Sequence, residues 1–190
     1  MSDELDRLRR LRPDHVRHDD PAEPTVFARH KEQLMATISG NDASDQWVGL
    51  VMPAVYPRLP CIDQLAEVAF LERVLQFQEI REARAEFDGN VFAWLRCGDG
   101  VVMISGENEE VHHIASPRTR GGATVLIVVH VDDVDAHHAH AVAQGADVPT
   151  ALEDMFYGER RYEVTDPEGH RWHLGERHEH IRARGGKVPE

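Results

Sequence analysis

The sequence predicts an α+β fold in which two similar βαβββ modules form a cupped mixed sheet, preceded by a helical N-terminal extension. Three observations carry this. An apolar strand that ends at an aspartate and runs into an amphipathic helix occurs twice, once before Asp63 and once before Asp133. Each helix is followed by three shorter apolar stretches separated by turn-forming residues, so the whole pattern repeats. With 190 residues, 41% hydrophobic and 29% charged, the chain can bury one sizeable core and still carry an extension.

The elements follow in order. Leu5, Leu8 and Leu11 recur at helical spacing until Pro13, and Asp19-Asp20-Pro21-Ala22-Glu23-Pro24 forms a turn-rich linker. Thr25 then caps a second helix with Phe27, Leu34, Met35 and Ile38 on one side, which ends at Gly40-Asn41-Asp42. Residues 1–46 therefore form a helical arm whose apolar face needs cover from its own domain, a second subunit or another protein. Residues 47–181 form the main domain, with modules at about 48–110 and 122–181, and 182–190 form a tail. In the first module a strand over 55–59 leads to a helix carrying Leu65, Val68, Ala69, Leu71, Leu75 and Phe77, then strands over 79–83, 91–97 and 101–105. In the second, a strand over 125–129 leads to a helix with Val134, Ala136, Ala139, Ala141 and Val142, closed by Gly145, then strands over 147–152, 161–165 and 171–175. The turn signals correspond: Asp88-Gly89-Asn90 and Gly98-Asp99-Gly100 in one half, Tyr157-Gly158-Glu159 and Asp166-Pro167-Glu168-Gly169 in the other.

A formal net charge of -13 argues against binding nucleic acid or an anionic membrane, both of which need a basic face. A small-molecule or protein partner is expected instead. Residues 1–12 contain no apolar run of the kind a signal peptide or membrane span needs, so a cytoplasmic location is expected. Cys61 and Cys97 fall in apolar strands and read as buried reduced thiols.

The segments Asp132-Asp133-Val134-Asp135-Ala136, Glu153-Asp154-Met155-Phe156-Tyr157-Gly158-Glu159-Arg160 and Asp166-Pro167-Glu168-Gly169-His170-Arg171-Trp172 resemble, in order and spacing, signatures of the vicinal-oxygen-chelate superfamily. The closest resemblance is to its glyoxalase/bleomycin-resistance, PhnB-like members. Tyr56-Pro57-Arg58-Leu59 and Gly98-Asp99-Gly100-Val101-Val102-Met103-Ile104 extend the resemblance to the first half. It implies the glyoxalase/bleomycin resistance fold, a homodimer, and a small organic ligand held in a cup between the modules. It does not fix a chemistry, because that superfamily spans isomerases, dioxygenases and proteins that only sequester antibiotics.

Metal-dependent relatives carry ligands on the first and last strand of each half. Counted by equal steps from Asp63 and Asp133, and from Gly100 and Gly169, those positions here are Tyr56, Leu126, Ile104 and His173. Leucine and isoleucine donate nothing to a metal, so no cofactor is expected; a divalent ion would have to be centred on His173. The resemblance places Tyr56, Arg58, Trp94, Phe156, Tyr157 and His173 on the pocket wall as ligand-binding candidates. Arg58, on a strand otherwise so apolar, wants an anionic partner, either Asp63 or a ligand carboxylate. His137 and His140 lie one helical turn apart and read as surface residues, and His178 and His180 as part of a charged tail.

These readings favour a metal-free protein that binds an antibiotic or metabolite. The alternative is a glyoxalase-type lyase or isomerase, or a dioxygenase, with an altered metal site centred on His173; without a metal, His173 and Tyr56 are the candidates for a catalytic acid and base pair across the pocket. A second alternative is a scaffold that recruits a protein through the N-terminal helices.

Overall fold

A computed structural model describes residues 52–189. The helical arm expected over 1–46 lies outside the described residues. Two sheets and their helices carry the repeat. Strand β1 (Arg58–Cys61) leads to helix α1 (Gln64–Arg73), then β2 (Gln78–Glu79), a single 3-10 turn (Arg81–Ala83), β3 (Ala85–Phe87), β4 (Asn90–Cys97) and β5 (Gly100–Gly106). A short helix α2 (Pro117–Arg120) joins the modules. Strand β6 (Leu126–His130), helix α3 (Val134–Ala143), β7 (Asp147–Met155), β8 (Glu159–Thr165) and β9 (Arg171–Arg177) follow, and helix α4 (His178–Ala183) ends the fold. The first sheet runs β1-β5-β4-β2 with β3 added on β4; the second runs β6-β9-β8-β7. In each, the first strand pairs in parallel with the last, as β1 with β5 and β6 with β9.

Both long helices start for the same reason. Asp63 accepts a hydrogen bond from the Ala66 amide at 3.0 Å and Asp133 one from the Ala136 amide at 2.9 Å, which satisfies an amide the helix itself cannot. Helix α1 is shorter than its apolar spacing suggests. It stops at Arg73, so Leu75 and Phe77 reach the core from the following turn, where Gln76 takes a positive φ of 60°. The strand expected over 79–83 is likewise interrupted after Glu79 by the 3-10 turn.

One core serves both modules. Leu59, Cys61, Leu95, Val102 and Ile104 from the helix side of the first sheet join Tyr162, Val164, Trp172 and Leu174 from the helix side of the second. The Phe77 ring meets Trp172 edge-on at 5.5 Å between centroids. Because side chains alternate along a strand, the opposite face of each sheet looks away from this core. Both cysteines are free, and burial raises the pKa of each thiol.

A polar clasp locks the modules together, built from the Asp166-to-Trp172 segment. The buried Glu168 carboxylate accepts from the amides of Ile62 and Asp63, each at 2.9 Å, and from the Ser116 hydroxyl at 2.6 Å. Asp166 accepts from the amides of Glu168 and His170 and from the Trp172 indole, while His170 Nε2 donates to the Pro60 carbonyl at 3.1 Å. His137 belongs to the same junction, which corrects its reading as a surface residue. His137 Nε2 donates to the Leu75 carbonyl at 3.2 Å, which leaves Nδ1 to accept from the Tyr162 hydroxyl at 2.6 Å; burial lowers the pKa of this imidazole. His140 Nε2 donates to the Arg73 carbonyl at 2.8 Å. The start of the expected charged tail is also folded in: His178 is buried, 3.0 Å from Asp154, and Ile181 lies in the core. Arg184 then binds Glu176 and Asp135.

Candidate functional site

The outer faces of the two sheets hold the candidate residues. On the second sheet the pairing register puts Val128, His173, Glu163 and Thr150 in one row, and His130, Gly175, Arg161 and Glu153 in the next. Gly175 has no side chain there because Glu159 lies across it; a Cβ would collide with that carboxylate. A continuous polar chain crosses this face. Arg171 donates to Glu163, and His173 Nε2 donates to the other oxygen of Glu163 at 2.6 Å. Arg161 donates to His173 Nδ1 at 2.9 Å, an arrangement that requires the imidazole to be neutral with its proton on Nε2. Burial tends to raise the Glu163 pKa, but hydrogen bonds from Arg171 and His173 outweigh it and hold the carboxyl below its ordinary value.

Beyond Arg161 the face becomes aromatic. The guanidinium carbon of Arg161 lies 5.8 Å from the Tyr157 ring centroid, and Phe156 meets Tyr157 edge-on at 5.2 Å. Both aromatics sit at the tip between β7 and β8, where Gly158, at φ 90°, closes the turn with a 3.0 Å bond from its amide to the Met155 carbonyl. Phe156 is 98% exposed and Tyr157 48%; Val128 and Leu126 on β6 are 56% and 44% exposed.

On the first sheet the register aligns Arg58, Met103 and Trp94. Arg58 Nε donates to the Ser105 hydroxyl at 2.7 Å, and its guanidinium carbon lies 5.9 Å from the Phe92 centroid. Burial lowers the Arg58 pKa. Trp94 is buried in a small satellite cluster with Ile80, Ala83 and Val101, with Phe92 and Met103 packed against it.

Five of the six ligand-binding candidates fall into two groups, and Tyr56 stands apart. Phe156, Tyr157 and His173 share the second sheet, linked through Arg161; Arg58 and Trp94 share the first; Tyr56 precedes β1 and is partly exposed. The Tyr56–His173 acid-base pair is not assembled within one chain, since both His173 nitrogens are engaged by Arg161 and Glu163. Asp63 is not the partner of Arg58, because it caps α1.

Ile104 needs correction as a site position. It points into the shared core, and Met103 takes the outer place beside Arg58, as His173 does beside Val128. The equal-step count failed because the place His173 holds four residues after Gly169 is held by Met103 only three residues after Gly100. An offset of one residue turns the side chain to the other face. Met103, Leu126 and Val128 offer no hard donor and His173 is already bonded at both nitrogens, so these residues do not fit a divalent ion. Among the described residues no group of three or more His, Cys, Asp or Glu is placed to hold one.

Arg161, Glu163 and Arg171 were not singled out from sequence, although their alternation with the apolar Tyr162, Val164 and Trp172 marked them as one face. A separate cleft of about 380 Å³ opens at the seam between modules, lined by Gln76, Cys97, His130, Asp132 and His137 among others. Its His137 is already committed to the module junction.

With this geometry in view, the family is settled by a match of residues 54–174 to the glyoxalase/bleomycin resistance protein/dioxygenase superfamily model. The chain belongs to that superfamily. The uncharacterized protein Mb0911c of Mycobacterium bovis is 34% identical over 131 residues, covering 66% of this chain and 84% of its own length. TioX of Micromonospora sp. ML1 superposes with a TM-score of 0.52 at 30% identity, covering 73% of this chain and 99% of TioX. TnmS3 of Streptomyces sp. CB03234, described as an antibiotic binding protein, shares the fold at a TM-score of 0.51 and 17% identity, covering 67% and 98% of the two chains. Among the described residues no helix is long and apolar enough to cross a membrane.

Proposed function

We propose that this superfamily member binds a small organic molecule without a metal ion, between the outer face of its second sheet and the outer face of the first sheet of a second copy. The observation that carries this is the exposed aromatic and aliphatic surface of Phe156, Tyr157, Leu126 and Val128 beside the hydrogen-bonded polar chain of Arg171, Glu163, His173 and Arg161. Apolar surface rimmed by placed polar groups is what a ligand wall or interface requires. One such face is too shallow to bury a ligand, and within the chain the two faces look away from a common core. A homodimer resolves both problems. The antibiotic binding described for TnmS3 supports an antibiotic or secondary metabolite as the class to try first.

Sequestration or sensing suits the face better than catalysis. His173, its best acid-base group, is held at both nitrogens. The test is calorimetric titration of EDTA-treated protein against an antibiotic and metabolite panel, with Tyr157→Ala alongside. Binding without metal is expected, weakened about 10-fold in the variant, equivalent to about 1.4 kcal/mol. Turnover or binding that begins only on adding a divalent ion would overturn the proposal.

A further inference from the structure

Resting on that reading of the outer faces, we infer that the ligand is a planar aromatic acid, its anionic group taken by Arg161 and Arg58 and its ring by Tyr157 and Phe156. The chain has 34 acidic and 21 basic Lys and Arg residues, so carboxylates are in excess over the cations that could pair with them. Several arginines in or near the second module are paired: Arg160 with Asp135 and Asp154, Arg171 with Glu163, and Arg184, beyond the module, with Glu176. Arg161 and Arg58 pair with no carboxylate among the described residues, although both are partly buried. Arg161 has Glu153 opposite it on β7 and Glu159 nearby on its own strand, yet it bonds instead to the neutral His173. Glu163, the nearest other carboxylate on its face, is taken up by Arg171 and His173. Arg58 bonds only to a hydroxyl.

Each guanidinium therefore spends one N–H on a neutral acceptor that fixes its direction. Each also lies against an aromatic ring, Tyr157 for Arg161 and Phe92 for Arg58. What remains is a fork of unused donors matched in geometry to a carboxylate or sulfonate. The exposed rings at the β7–β8 tip begin directly beside the Arg161 fork, so a flat ring bearing an acidic group meets both at once.

Two pairs of matched probes test this: 2-naphthoate with 2-naphthamide, and pyrene-1-carboxylate with pyrene-1-carboxamide, titrated into the full chain. At least one acid should bind about 10-fold tighter than its amide, and Arg161→Gln should reduce that preference to about 2-fold or less. Arg58→Gln should reduce the same preference, and Arg161→Lys should restore part of it. Acids and amides binding equally well, or a preference indifferent to both glutamine variants, would overturn the inference yet leave a small-molecule site standing. Failure of all four probes to bind would overturn the site as well.

Discussion

Glu67 is fully buried on α1 beside Asp166. Burial, then the Asp166 carboxylate, push its pKa up to about 10, so it folds protonated. The unfolded chain loses this proton at the ordinary carboxylate value. Stability from this group is therefore fully present below that value and falls as pH rises toward 10. Glu67→Gln keeps the shape without an ionisable proton, and should flatten the alkaline side of a denaturation profile. Glu168 has the opposite sign: bonds from Ile62, Ser116 and Asp63 outweigh burial and hold its pKa low, so its contribution is present above the ordinary carboxylate value and lost as pH falls. Glu168→Ala leaves two amides and a hydroxyl unsatisfied and should cost about 3 kcal/mol in urea denaturation at neutral pH. Residue roles of this kind were poorly legible in the sequence. Nothing local distinguishes His137, buried against the other module, from the neighbouring His138, because the difference lies in which face of α3 meets Leu75 and Tyr162.

At the scale of elements, the repeated aspartate before each helix was readable because capping is local chemistry. Asp63→Ala and Asp133→Ala should each lower stability by about 1 kcal/mol, measured as a shift in urea midpoint with unchanged slope. The strands of the second module were legible in place and order, since apolar alternation survives wherever one face is buried. Two features were not. The 3-10 turn at Arg81–Ala83 has no sequence marker against a strand reading, and a one-residue difference in register after Gly100 and Gly169 shifted the count that put Ile104 on the site. Register is a tertiary quantity: Arg58 opposite Met103 is fixed by the sheet, not by either strand alone.

At the scale of the molecule, the two-module fold could be read from the repeat, but the direction of the faces could not. The sequence reading placed the candidate residues in one cup between halves, whereas the halves share a core and turn those residues outward in two groups. On the proposed reading, assembly is part of the site. Sedimentation should show a dimer, and Val128→Asp, which puts a charge at the centre of the exposed β6 face, should shift it to monomer and abolish ligand binding together.

The central claim is that the ligand lies on these outer faces without metal. Backbone and indole amide shifts of metal-depleted protein, followed during titration with a bound ligand, test it most directly. The account predicts perturbations at Tyr157, Arg161 and His173 and, from the same ligand, at Arg58 and Trp94. Shifts confined to the seam cleft around Gln76, Cys97 and Asp132, or shifts that wait for a divalent ion, would contradict it.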